Sequence, residues 1–215
     1  MFNTTIATQI YAKICFEATN SQKKIIENLS EYLSDDDFSR IFVLNGFAGT
    51  GKTTLIAALV AALKELRIKP VLLAPTGRAA KVLARYCGEQ ALTIHKRIYR
   101  QRTNADYESK FSLDFNREQG AVFIVDEASM LSDSTGDGAL FGSGSLLEDL
   151  VSYVRSGRGC RLILVGDSAQ LPPVGCDFSP ALDPATVSRY GEVVYGLMDE
   201  VVRQQMQSGI LFNAT

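Results

Sequence analysis

Gly46, Gly51, Lys52 and Thr53 occupy the fixed positions of G-x-x-x-x-G-K-[ST] in the run GFAGTGKTT, residues 46–54. Glycines let a backbone curl so that the N–H groups of Gly46, Phe47, Ala48, Gly49, Thr50 and Gly51 surround an anion, with the positive end of the following helix behind them. In such a loop Lys52 reaches the β- and γ-phosphates of a nucleotide. Thr53 offers its hydroxyl to magnesium, and Thr54 continues the cradle. A glycine-rich turn without a ligand is the alternative. Ile41-Phe42-Val43-Leu44 before the run and an Ala- and Leu-rich stretch after it supply the strand-loop-helix setting that phosphate binding requires.

Two further polar clusters end apolar runs. Asp126 and Glu127, in VDEASM, follow residues 121–125. Carboxylates at the end of a buried strand beside a phosphate loop have the layout of a Walker B element. Asp126 would hold the magnesium shell, partly through water, and Glu127 would act as general base on the attacking water. A strand end that merely caps a helix with two acids is the competing reading. The run GDSAQLPPVG, residues 166–175, ends the next apolar segment. Its Gln170 could report the γ-phosphate, while Pro172 and Pro173 can continue neither a helix nor a central strand. A proline-stiffened loop with no ligand fits the same residues.

These groups need a frame. Apolar runs recur at residues 41–44, 71–73, 121–125, 162–165 and 193–195, with helical patterns between them. That alternation predicts an α/β fold, a parallel sheet with helices on both faces and a ligand at its carboxyl edge. Leu55, Ile56, Leu59, Val60, Leu63 and Leu66 cover so much of one helix that it must be buried on the sheet. Residues 97–119 read as a small β-hairpin insertion between the two parts of the main domain, 1–96 and 120–215. Residues 132–145, rich in Gly, Ser and Asp, read as a mobile loop.

The 215 residues, 46% hydrophobic and 21% charged, suit one such domain with an insertion. The longest apolar run, residues 55–63, is too short to span a bilayer, and no basic segment leads into an apolar one at the start. Cys15, Cys87, Cys160 and Cys176 show no C-x-x-C spacing. A cytoplasmic setting without a membrane partner is expected. The net charge of −2 conceals an asymmetry: residues 78–102 hold seven cations against Glu89, a local +6 that leaves −8 elsewhere. A solvated helix surface and a polyanion-binding face both fit that window.

Taken in order, the runs resemble the first RecA-like domain of subgroup B superfamily 1 DNA helicases, the group of exodeoxyribonuclease V alpha-like (RecD-like) and Dda-like helicases. GFAGTGKTT corresponds to motif I, LLAPTGRAAK (72–81) to motif Ia, Thr93-Ile94-His95 to motif Ib and VDEASM to motif II. GDSAQLPPVG corresponds to motif III, and Val201-Val202-Arg203-Gln204 with Ser208-Gly209-Ile210-Leu211 to motif IV. Gln22 matches the family's adenine-reading glutamine, although Thr19-Asn20-Ser21-Gln22 also fits a capping box ahead of the Ile25, Ile26, Leu29, Leu33 stripe. Arg203 matches an internal arginine finger, against a plain helix pair with Asp199 or Glu200.

The resemblance implies an ATP hydrolase that uses ATP and Mg2+ to move 5′ to 3′ on single-stranded DNA, with other DNA-repair or recombination subunits as a partner class. It implies DNA contacts at Pro75, Thr76, Gly77, Arg78, Lys81, Thr93, His95, Lys96, Arg97, Tyr99, Pro172 and Pro173, with Tyr99 stacking on a base and the hairpin separating strands. For His95, the one histidine of the sequence, a structural role fits equally. The family completes its site with a second RecA-like domain whose motifs are not in this sequence. The chain therefore reads as a truncated piece that binds ATP better than it hydrolyses it. Two other readings remain: a small P-loop kinase of the thymidine-kinase type, which leaves motif III and Arg203 unexplained, and a nucleotide-dependent binding module without turnover.

Overall fold

Strand β1 (Ile41–Gly46) is buried along its whole length, as a parallel strand covered on both faces must be. Its side chains alternate. Phe42 and Leu44 join Leu72, Ile124, Ile163 and Val165 in one apolar layer, and Ile41 and Val43 join Leu73, Phe123, Val125, Leu162 and Leu164 in the other. The computed structural model describes residues 2–14, 17–103, 109–133 and 141–201. Six parallel strands run in the order β3 (Ala91–Thr93), β2 (Pro70–Ala74), β6 (Val122–Val125), β7 (Arg161–Gly166), β1 and β8 (Val193–Met198). Helices α1 (Phe2–Lys13), α2 (Asn20–Ser34), α3 (Lys52–Glu65) and α4 (Gly77–Cys87) cover the first layer. The second lies under α5 (Ile94–Ile98), α6 (Leu146–Ser156) and α7 (Pro184–Val187).

The α/β expectation holds, and α3 is buried through Leu55, Ile56, Leu59, Val60 and Leu63. Two elements were not anticipated. Strand β3 is three half-buried residues at the sheet's edge, too short to register as an apolar run. Helix α1 presents Ile6 and Ile10, one turn apart and both sealed, to the layer that α2 and α3 also bury.

After α5, strand β4 (Tyr99–Thr103) pairs antiparallel with β5 (Ser109–Leu113), Tyr99 standing opposite Leu113. Phe141 stacks on Phe111 with centroids 4.5 Å apart, and Gly142 N donates to Phe111 O at 2.9 Å. Within the expected mobile loop, residues 134–140 lie outside the described residues, whereas 141–145 are anchored to the hairpin.

Tyr32 shows how sequence-distant elements are tied together. Its hydroxyl, fully buried, donates to Leu162 O at 2.8 Å and accepts from Leu162 N at 3.1 Å. Burial lifts its pKa far above that of an ordinary tyrosine and lifts Tyr190 to about 12. A raised acid contributes stability that is complete below the unfolded pKa, about 10, and is lost as pH rises through the folded value. The thermal midpoint is therefore expected to hold steady from about pH 7 to 9 and to fall above about pH 10. Tyr32→Phe should destabilise by about 1–3 kcal/mol at neutral pH and blunt that alkaline loss. Melts at two pH values check both, and an unchanged alkaline slope would assign the loss to other groups.

Candidate nucleotide site and the adjacent cationic face

Strands β6, β7 and β1 are neighbours, so the three polar strand ends singled out in the sequence meet at one edge. From Gly46 the chain turns through Gly49 (φ 78°) and Gly51 (φ 88°), left-handed values that favour glycine. Helix α3 starts at Lys52, and its N-cap, Gly51, lends no side-chain acceptor to the first turn. A helix start without a side-chain cap, beneath an exposed glycine loop, fits an oxyanion of phosphate size. Phe47, Ala48, Gly49 and Thr54 are exposed, and Thr53 is half-buried. Thr50 is buried and ties the loop by donating Oγ1 to Phe47 O at 2.8 Å.

Lys52 Nζ donates to the carbonyls of Gly46 and Phe47 and lies 3.9 Å from Asp167 Oδ2. Burial draws its ammonium below the ordinary lysine value, opposed by Asp167, Glu127 and Asp126. The same burial raises Asp126, whose own N–H is held by Leu73 O at 3.0 Å. Glu127 sits at φ 55°, an uncommon conformation for a residue with a side chain and one that costs on the order of 1–3 kcal/mol. It turns the chain sharply at the end of β6. Gly166 lets β7 pass close by: a Cβ there would stand 3.0 Å from Ser129 N and 2.9 Å from Leu182 Cδ1. Gln170 Oε1 accepts from Ser129 Oγ at 3.3 Å, linking the GDSAQ turn to the Asp126-Glu127 turn.

Two residues of this edge had no role in the sequence reading. Asp167 is buried beside Lys52 and accepts from Ala169 N at 2.9 Å. It follows an apolar run just as Asp126 does, a signal that was available. Asn45 Oδ1 accepts from Ser168 N at 3.0 Å, and its Nδ2 donates to Ser168 Oγ (2.9 Å) and Tyr195 Oη (3.0 Å). It thus locks the phosphate loop, the GDSAQ turn and β8 in one register, which no local pattern announces.

Gln22 is buried with both ends of its amide engaged. Oε1 accepts from Thr19 N at 3.0 Å, completing the capping box, and Nε2 donates to Thr50 O at 3.0 Å. In this arrangement it braces the phosphate loop. Arg203 lies outside the described residues. Thr76 caps α4 by accepting from Ala79 N, and Thr76, Gly77, Arg78 and Lys81 are exposed, with Pro75 half-buried. A cleft of about 330 Å³, lined by Thr76, Arg78, Val82, Asp126, Glu127 and Gln170, joins that helix start to the acidic strand end. Pro172 and Pro173 are half-buried beside the fully exposed Leu171 and Val174.

The basic window divides. Thr93 caps α5 by accepting from Lys96 N, and Lys96 is exposed. His95 is half-buried between the rings of Tyr99 and Phe141, where burial lowers its pKa. Arg97 pairs with Glu118 at 2.6 Å and covers the Tyr153 ring. The stacking role for Tyr99 is corrected: its ring is 6% exposed, packed on Phe141 and His95, and its hydroxyl donates to Asp149 Oδ2 at 2.6 Å. It has no face to offer a base.

A family model described as an AAA domain matches residues 17–210. An ATP-dependent RecD2 DNA helicase of Deinococcus radiodurans is 30% identical over 154 residues, covering 72% of this chain and 19% of its own length. A RecBCD enzyme subunit RecD of Mycobacterium tuberculosis is 33% identical over 201 residues, covering 76% of this chain and 32% of its own. The Pif1 helicase from Bacteroides, solved in complex with ADP-AlF3 and single-stranded DNA, superposes with a TM-score of 0.55 at 20% identity, over 89% of this chain and 44% of that one. This chain therefore spans less than half the length of each.

Proposed function

This chain belongs to the AAA-domain family, and on that premise we propose that it works as the ATP-binding RecA-like domain of a RecD- and Pif1-like DNA helicase, coupling ATP hydrolysis to movement on single-stranded DNA, 5′ to 3′. One observation carries the reading: the phosphate loop, the Asp126-Glu127 turn and Gln170 converge on the edges of three adjacent strands, and a cleft leads from them to the cationic start of α4.

Magnesium-bound ATP supplies the phosphoanhydride and the charge that the site is built to receive. Lys52, released from the carbonyls of Gly46 and Phe47, holds the terminal phosphates. Thr53 and Asp126 would hold the metal, Asp126 partly through water. Among the described residues no group of three or more His, Cys, Asp and Glu could hold a metal ion; the nucleotide's phosphates and water would supply the rest of the magnesium shell. Glu127 takes the proton of the attacking water. Gln170, hydrogen-bonded to Ser129 in the Walker B turn, passes the change at the γ-phosphate to the proline-stiffened turn. Arg203 serves as the arginine finger. Gln22 reads adenine by exchanging its bond to Thr50 O for the base.

On the strand side, Pro75, Thr76, Gly77, Arg78 and Lys81 hold the phosphates of DNA, with Thr93 and His95 beside them. Residues 97–119 form an inserted subdomain, between 1–96 and 120–215, that separates strands. Among the described residues no helix is long and apolar enough to cross a membrane.

DNA-stimulated ATP hydrolysis tests the proposal. Reversing Arg78 and Lys81 to Glu should weaken single-strand binding at least about tenfold at low salt and flatten its salt slope by about 1.4. Lys52→Ala should abolish nucleotide binding while leaving the fold intact. Hydrolysis indifferent to DNA would remove the helicase reading, and phosphate transfer to a nucleoside would replace it with a kinase.

A further inference from the structure

A cavity of about 580 Å³ opens beside the hairpin base, between α5, the start of β4, the segment 114–118 and Tyr153 of α6. None of its lining residues borders the cleft at Thr76 and Gln170. Four cations surround it, Lys96, Arg97, Arg100 and Arg117, against two acids, Asp114 and Glu118. Both acids are already engaged. Asp114 takes Arg100 at 2.6 Å, and Glu118 takes Arg97 at 2.6 Å and Lys69 at 2.8 Å. Among the described residues, Lys96 and Arg117 make no ion pair, and both are exposed. The rim thus carries a net +2 in a chain whose total is −2.

Between Asp114 and Arg117 stands Phe115, 64% exposed. A large aromatic ring left in water at the rim of a cationic hollow has the makings of a stacking platform, because every base offers a π-face to such a ring. The hairpin's register explains why the hollow lies where it does. Tyr99 and Gln101 stand opposite Leu113 and Phe111 on the face that packs onto Phe141, whereas Arg100, opposite Ser112, alternates to the other face. One side of the ribbon is therefore fixed to the body through Tyr99 and Phe111. Arg100, on the other, opens on the cavity.

We infer that this hollow is a second nucleic-acid strand site, which takes backbone phosphates on Lys96, Arg100 and Arg117 and stacks one base on Phe115. The inference rests on the helicase reading: a hairpin that divides two strands needs a surface for the strand that does not follow the Thr76–Lys81 face. Cations that outnumber the carboxylates, beside a ring that is mostly exposed, favour a nucleic acid over an acidic protein segment, which would leave Phe115 unused.

Forked DNA with 5-iodouracil in one arm at a time, photo-crosslinked to the chain and mapped by mass spectrometry, tests the site. One arm should crosslink to Phe115 while the other crosslinks elsewhere. Phe115→Ala should abolish the first crosslink only, and Phe115→Trp should keep it. Lys96→Glu with Arg117→Glu should weaken forked-DNA binding at least about fivefold and reduce its salt slope by about 1.4. The affinity of a short single strand should stay unchanged. Crosslinks elsewhere with none at Phe115 from either arm would overturn the inference and leave the helicase reading standing. Failure of every arm to crosslink would end both. Loss of binding to poly-glutamate rather than to the fork in the double variant would reassign the hollow to an acidic protein.

Discussion

Glu127→Gln is expected to hold ATP as the parent chain does and to hydrolyse it about a hundredfold to ten-thousandfold more slowly, the range a positioned general base contributes. The substitution keeps the volume and the hydrogen-bonding reach of the side chain and removes only its basicity. Glutamine also has the same backbone preferences at φ 55°, so the sharp turn at the end of β6 should persist. Asp126→Asn should behave differently. It removes a charge next to Lys52 and should weaken magnesium-dependent nucleotide affinity before it touches chemistry. Because burial raises the Asp126 pKa, the metal-competent carboxylate should be lost on acidification at a higher pH than for an exposed aspartate. Single-turnover phosphate release, alongside fluorescence titration of the nucleotide, separates the two effects. If Glu127→Gln turns over at the parent rate while Asp126→Asn is dead, the base is not Glu127, and Asp167, buried 3.9 Å from Lys52 Nζ, becomes the next candidate.

How far the sequence reached depends on whether the deciding force was local. The strand runs were legible because a strand buried on both faces must be apolar throughout, and 41–44 and 162–165 are. The phosphate loop was legible because glycine is needed at fixed left-handed positions. Strand β3 escaped because an edge strand of three residues needs no apolar run. The basic window was only partly legible for a related reason. Its count stops at residue 102, and the acids that pair with Arg97 and Arg100 are Glu118 and Asp114, which return along the hairpin beyond the window. Tyr99 looked like a free aromatic among cations, yet its fate was set by Phe141 and Asp149, more than 40 residues away.

Those long-range partners point to how the hairpin is held. The chain leaving the Asp126-Glu127 turn reaches Asp133, which accepts from Ser145 Oγ at 3.0 Å and Tyr190 Oη at 2.6 Å. Ser145 in turn caps α6, whose Asp149 receives Tyr99 from the hairpin base. A hydrogen-bonded route therefore runs from the segment after the Asp126-Glu127 turn, through the start of α6, to the ribbon proposed to meet DNA. A change in the turn that moved Asp133 would be felt at α6 within two bonds.

Asp149→Ala is the sharpest test of that anchor and is expected to lower the melting temperature by roughly 5–20 °C. Asp149 is 5% exposed and accepts from Tyr99 Oη at 2.6 Å and Ser143 N at 3.0 Å. Alanine would strand one buried donor, Tyr99 Oη, and release the partly buried Ser143 N, each worth up to about 1–3 kcal/mol when left without an acceptor, in a chain of a size where each kcal/mol moves the midpoint about 2–4 °C. Asp149→Asn retains one acceptor oxygen and should cost less than half as much. Gly142→Ala should reproduce the alanine effect from the other side, because a Cβ there collides with the Asp149 carboxylate and with Tyr99, on a backbone at φ 45°. Hydrogen exchange distinguishes an anchor from general packing. In both variants the amides of β4 and β5 should lose protection while those of β1 and β7 keep it at temperatures well below the midpoint. Uniform loss across the sheet would make Asp149 an ordinary core acceptor, and the hairpin would then be held chiefly by Phe141, through its ring's contacts with Phe111 and Tyr99.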